Sequence, residues 1–223
     1  GEKQRRRPRG LGQKYDGRQR EAETAMRTED HYAYAEKMVD GLQISAWKKK
    51  AFKLGCIAPD YNRLTYLGKD VRDFSNGHSF RSHGRQIARF FSGRCRNTIL
   101  WWYCAGRMIH YLGDSFTRPH NAEFGYRSKE HVAYEHVLHE VVRESMREDR
   151  WKKAHVHGDP NRWLQRRHRR YLARTRGHRE DAYYIHSTLL GFWDWVENHR
   201  LPEKVRRRRE EDRSRSGHGP DAA

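Results

Sequence analysis

Apolar residues recur along the middle of this 223-residue chain with the period of an α-helix. Ala35, Met38, Val39, Leu42, Ala46 and Trp47 follow i, i+3, i+4, i+7 spacing and predict an amphipathic helix over 29–54, ended by Gly55 and Pro59. Residues 60–83 carry Asp60, Asn62, Gly68, Asn76 and Gly77 and predict an ordered loop, with a short helix over 84–93. Residues 97–114 are apolar on nearly every side, the pattern of a helix enclosed by others. Further helices are predicted over 128–151, over an Arg-rich 159–176 with Trp163, Leu164 and Tyr171, and over 179–200 with Tyr184, Leu189, Phe192, Trp193 and Val196. No alternating pattern predicts a strand, so the fold class is all-α, a multi-helix bundle with long ordered loops.

Composition sets the bounds of that bundle. Residues 1–23 are Arg- and Gly-rich with almost no large apolar side chains and predict a flexible basic arm. Residues 205–223 predict a charged, disordered tail, which leaves one folded domain over 24–204. Hydrophobic content is 35%, lean for a core, but seven Trp and twelve Tyr add much buried area per residue. The longest apolar run, Ile99–Leu112, is broken by Arg107 and is shorter than the roughly 20 residues a membrane span needs. Three cysteines without CxxC spacing predict neither a disulfide framework nor a cysteine-type zinc site. The formal net charge of +18 attracts polyanions: nucleic acid, anionic membrane surfaces or phosphorylated substrates.

Histidine, at 15 residues, is the unusual count, and its placement carries the chemistry. His110 and Asp114 stand four apart on the most apolar helix, so both side chains share one face within reach of one ion. Gly113 and the residues after Asp114 predict the helix end, and Pro119 fixes the approach to His120. His131 and Glu135 repeat the i, i+4 spacing on the next helix, against a rival pair, His136 and Glu140. At about 100° per residue, His131 and Glu135 lie about 20° and 60° from the apolar Leu138, whereas each member of the rival pair lies about 160° away. The first pair therefore points inward. Paired histidine and carboxylate ligands on facing helices are how helical bundles build polynuclear metal sites. His136, His155, His157, His168 and His178 are expected in solvent.

These motifs resemble those of the bacterial zinc-dependent phospholipase C family, in which a buried helix ends in "HYxGD", a histidine follows a few residues on, and "HxxxE" lies on the next helix. The matching stretches are "HYLGD", "RPH" and "HVAYE". Upstream, "GCIAPDYN" supplies Asp60, "NGHSF" supplies His78 with His83 as a rival, and His31 fits a histidine near the start of the first helix. The resemblance implies an all-helical fold of that type with two or three zinc ions. His120, His131 and Glu135 would hold one ion. His78 and His110 would hold a second, with Asp60 as ligand or as the base that acts on water. Asp114 would bridge to a third that also uses His31. In that family a mature N-terminal amine and carbonyl, usually of Trp, complete the third site; here thirty residues precede His31 and none is Trp.

The implied activity is phosphodiester hydrolysis with a metal-activated water, most simply on phospholipid. A nuclease or other phosphoesterase activity is the alternative, since the fungal zinc-dependent single-strand nucleases are distantly similar. A rival of another class is a non-enzymatic basic nucleic-acid-binding protein. The family is commonly secreted or at the cell surface. Tyr111, Phe116, Phe124 and Tyr126 line the cleft or belong to the core. Glu123 is expected as a solvated loop carboxylate. The Arg-rich helix is expected to pack on its Trp163 and Tyr171 side and to present its charge outward.

Overall fold

The computed structural model describes residues 26–61, 80–125, 128–148 and 152–206. Within them lie seven α-helices and no strand: α1 (Thr28–Val39), α2 (Ala46–Tyr61), α3 (Phe80–Ser92), α4 (Ile99–Asp114), α5 (Ser128–Glu148), α6 (Pro160–Arg174) and α7 (His178–His199). Short 3-10 turns at Arg118–His120, Ala122–Phe124 and Glu203–Val205 join or follow them. The bundle is all-α as the periodicity predicts. None of these helices is long and apolar enough to cross a membrane. The basic arm over 1–23 lies outside the described residues, as does the tail from 207 onward. Val205, expected in that tail, is instead buried and accepts the backbone N–H of Gln43 at 3.0 Å, because its apolar side chain completes the core beside Leu42.

The predicted helix over 29–54 is two helices. Asp40 takes extended backbone and Gly41 a left-handed φ of 71°, which breaks the chain and resets its helical phase. Trp47, placed by periodicity on the buried stripe, is therefore 69% exposed. Gly55 and Pro59 do not end the second helix; both lie inside α2, which runs on to Tyr61. Proline this near the C-terminus sacrifices little of the helix's hydrogen bonding. The predicted loop over 60–83 is helical at both edges, at Asp60–Tyr61 and from Phe80, and 62–79 lies outside the described residues.

Gly55 serves packing rather than termination. A Cβ built on it would stand 2.1 Å from the carbonyl oxygen of Tyr103, and one on Gly106 would stand 2.1 Å from that of Phe52. The α2 and α4 backbones therefore meet where only glycine fits, and this is the most extensive helix pair in the bundle. Thr98 caps α4 by accepting the Trp101 N–H at 3.1 Å. Around the crossing, Phe52, Phe91, Trp102 and Trp193 gather with ring centroids 4.8–6.4 Å apart. The indole N–H of Trp193 donates to the Met38 carbonyl at 2.9 Å, so one cluster joins α1, α2, α3, α4 and α7. Tyr111 and Phe116 are buried core residues, and Phe124 is half-buried. Tyr126 lies outside the described residues.

Helix α6 packs as expected, with Trp163, Leu164 and Tyr171 buried and Arg166, Arg169, Arg170 and Arg174 exposed. His168 corrects the expectation of solvent: it shares the inward face, stacks on Phe80 at 4.3 Å and is buried. His178 is half-buried against Tyr134, with ring centroids 3.9 Å apart. His136, His155 and His157 are exposed.

The α2–α4 contact yields a direct test. Gly106→Ala is expected to lower unfolding free energy by about 1–3 kcal/mol through overpacking, read as a fall in Tm of about 2–4 °C per kcal/mol for a chain of this size. Thermal denaturation indistinguishable from the parent chain would contradict the contact.

Candidate metal centre

Four helix ends and one 3-10 turn converge on Asp114. His31 comes from the first turn of α1, Asp60 from the last turn of α2, and His110 and Asp114 from successive turns at the C-terminal end of α4. The Arg118–His120 turn brings His120, and α5 brings His131 and Glu135. The extension of α2 past Gly55 is what carries Asp60 this far. One Asp114 oxygen lies 3.1 Å from His31 Nε2, and the other lies 3.1 Å from His110 Nε2 and 3.8 Å from His120 Nδ1. Two groups form around this carboxylate: His31, Asp60 and His110, and His120, His131 and Glu135. Within each group the ligand-type atoms lie within 4.8 Å of one another.

Neighbouring groups orient these side chains. The His110 Nδ1–H donates to the Cys56 carbonyl at 2.8 Å; a carbonyl can only accept, so the hydrogen is on Nδ1 and Nε2 is turned toward Asp60 and Asp114. The Asp60 Oδ1 stands 3.5 Å from that Nε2 and has no hydrogen-bond partner among the described residues, while Thr28 donates its hydroxyl to Oδ2 at 2.8 Å. The His31 and His110 rings stack at 3.9 Å. The Glu135 Oε1 lies 2.6 Å from His131 Nε2, and Glu135 is buried. The rival His136 and Glu140 are both exposed.

The charges are mutually dependent. Burial opposes ionisation of Asp114, but His110, His120 and His31 outweigh it and hold the carboxyl well below the usual carboxylate range. Burial likewise opposes a charged His31, yet Asp114, Asp60 and Asp30 raise it above the usual histidine value. A cluster of imidazoles and carboxylates this deep is suited to a divalent cation. Each group offers two imidazoles and one carboxylate, the donor types of zinc sites that keep a position open for water or substrate. The orphaned Asp60 Oδ1 also fits a cation. His78 lies outside the described residues, and its rival His83 is half-buried on α3 with its ring 3.9 Å from that of Tyr111.

Several supporting residues escape a reading by motif. His139 pairs with Asp30 at 2.8 Å, buried directly beside His31. Its spacing of four from Glu135 is the signal that could have found it. Asp181, in the first turn of α7, has no such signal. Its Oδ2 accepts the Arg118 N–H at 2.7 Å and the Tyr134 hydroxyl at 3.1 Å, and its Oδ1 accepts the Thr175 hydroxyl at 2.6 Å. It thereby ties the turn bearing His120 to the α5 residue preceding Glu135. Burial pushes its carboxyl up to about 6 in spite of these donors. Asn121 donates to the Ser115 and Thr117 carbonyls at 3.2 and 2.7 Å, so its oxygen faces His168, whose Nε2–H donates to it at 3.0 Å.

A model of the zinc-dependent phospholipase C family matches residues 30–181. That span includes both histidine–carboxylate groups and closes on Asp181. No curated protein and no solved structure matches the chain.

Two outcomes follow from the supporting residues. Asp181→Ala is expected to weaken zinc binding about 10–100-fold, the usual cost of losing an orienting group, with helical circular dichroism retained. Competition with a chromophoric chelator reads the affinity, and an unchanged value would remove Asp181 from the site's support. His168, lowered by burial to about 4, stays neutral in the fold. Its stabilising effect is complete above its unfolded value of about 6.5 and is lost as pH falls from there to about 4. In EDTA, the parent should lose about 3 kcal/mol more than His168→Gln over that interval. Asp181 trends oppositely but in both proteins, so denaturant titrations with equal pH slopes would refute the assignment.

Proposed function

This chain belongs to the zinc-dependent phospholipase C family, and from that premise we propose that it hydrolyses phosphodiester bonds, phospholipid foremost, at the two groups around Asp114. The observation that carries the reading is the position of Asp114: its two oxygens face histidines of both groups. His120, His131 and Glu135 would hold one zinc ion. His31, Asp60 and His110 would hold another, with Asp114 shared; His78, outside the described residues, is the further ligand that the family resemblance implies. Bound zinc supplies a Lewis acid that lowers the pKa of water from about 15.7 toward about 7 and neutralises charge on the phosphoryl oxygens.

The chain's own residues supply position and proton transfer. The Cys56 carbonyl holds the His110 ring with Nε2 inward. Thr28 occupies one oxygen of Asp60 and leaves Oδ1 turned toward His110, where it would serve either as a ligand or as the base that accepts the proton of an attacking water. The net charge of +18 favours approach of an anionic substrate or membrane surface.

Metal analysis of the purified protein is expected to find at least two zinc ions per chain, and fewer would sink the polynuclear reading. Phosphatidylcholine, single-stranded DNA and bis-p-nitrophenyl phosphate are the substrates to compare. Phosphatidylcholine should be turned over fastest, and preference for the DNA would instead make the chain a nuclease. His131→Ala and Asp114→Asn should each lower kcat by about 100-fold or more, the factor that about 3 kcal/mol represents. His136→Ala should stay within about twofold of the parent, as an exposed residue outside the site.

A further inference from the structure

On another face of the bundle the chain builds a cationic basin of about 450 Å³ between the segment 152–157, α6 and α7. None of its lining residues belongs to the histidine–carboxylate groups. Lys152, Lys153, Arg166, Arg167 and Arg170 give five permanent positive charges, His155 and His157 add two imidazoles, and no carboxylate among the described residues lines it. Among the described residues Lys153 pairs with Asp194 at 3.4 Å, but the pair is solvent-exposed, and such pairs are weak.

The basin is constructed rather than a chance run of surface charge. The Ala154 N–H donates to the Ser187 carbonyl at 2.9 Å, and the Trp163 indole N–H donates to the His155 carbonyl at 2.9 Å. Gly191 permits the first contact, since a Cβ there would stand 2.0 Å from the Ala154 oxygen. These contacts clamp the extended segment across α7 and hold one wall. At the floor, Arg167 donates from Nε to the Thr188 hydroxyl at 2.6 Å and from Nη2 to the Ser187 hydroxyl. Its guanidinium lies over the rings of Tyr184 and Trp163, 5.1 and 5.6 Å from their centroids. Among the described residues no carboxylate pairs with it. A guanidinium withdrawn from water without a counter-charge is costly, and burial pushes it below the usual arginine range. An anion seated on Arg167 would offset that cost.

We propose that this basin binds a compact polyanion bearing two or more phosphate groups, free or displayed as a lipid headgroup. Five fixed charges exceed what one phosphate neutralises, and arginine forks match phosphate oxygens two at a time. The cavity has the size of small-ligand sites, roughly 300–1,000 Å³. A concave basin favours a compact ligand over an extended strand. Trp163 and Tyr183 supply apolar surface for the scaffold that carries the phosphates.

The test is isothermal titration of the full chain with tripolyphosphate at about 0.15 M salt, where exposed charges more than about 8 Å apart are screened. The expected result is one saturable site per chain. The exposed rim variant Arg166→Glu/Arg170→Glu should weaken it at least tenfold. The charge-matched control Arg85→Glu/Arg89→Glu, on α3, should change it less than threefold. Asp114→Asn should leave it unchanged, which makes the result independent of the phosphodiesterase reading. A second arm uses phosphatidylcholine vesicles containing phosphatidylinositol bisphosphate or an equal charge of phosphatidylserine. Rim-dependent retention on the former alone identifies a headgroup ligand, whereas tripolyphosphate binding without retention identifies a free one. Absence of saturable binding, equal loss in rim and control variants, or loss in an Asp114→Asn chain that keeps its helical circular dichroism would each overturn the proposal. So would a single-stranded 20-mer DNA that binds more tightly than either probe and is weakened equally by both charge reversals.

Discussion

The fold turns on one buried carboxylate. Asp114 ends α4, whose last six residues are all buried, a place where an isolated charge would be prohibitive. The surrounding helices meet that cost with imidazole. His31, His110 and His120 reach Asp114 from α1, α4 itself and the turn that follows it. Each of those histidines is in turn brought within reach of a second carboxylate, Asp60 or Glu135. The interior is thus an alternation of acids and imidazoles that only a close packing of helix ends can assemble, and the same alternation makes it a place for divalent cations.

That closeness is supplied by small residues and large rings together. Gly55 and Gly106 let α2 and α4 touch along their backbones, which puts the Cys56 carbonyl against His110 and aligns Asp60 with it. The aromatic cluster centred on Trp193 then locks five helices around the crossing. A second frame, made by Asp181 and by the His168–Asn121 pair, fixes the segment between α4 and α5 on which His120 rides. Packing and chemistry are therefore one construction: the groups that hold the backbone in place are those that aim the ligating side chains.

The charge of the chain is divided between two environments. Inside, carboxylates and histidines balance one another around Asp114. Outside, arginine and lysine dominate, and on the α6–α7 face they surround a basin with no acid among the described residues of its lining. Arg167 belongs to both worlds, since it is held by interior hydroxyls and rings yet opens onto that basin. The proposed phosphodiester hydrolysis would gain from a surface that concentrates phosphates, and a built pocket would add selectivity that diffuse charge does not have.

What could be read from the sequence was local. Helical class follows from period, and the inward direction of His131 and Glu135 follows from their angle to Leu138, because both depend on residues within two turns of one another. The His110–Asp114 pair is legible for the same reason. His31 and Asp60 came from resemblance to a family, not from spacing, since nothing local links residues 31, 60 and 114. Tertiary structure decided the rest. Trp47 went to solvent because a left-handed Gly41 reset the helical phase, and Gly55 sits mid-helix because another backbone presses against it. His168 went inward because Asn121, 47 residues earlier, offers it an acceptor. Asp181 became a support because Arg118, Tyr134 and Thr175, from three separate segments, point their donors at it. Periodicity says which way a side chain faces along its own helix; only the packed fold says what it meets there.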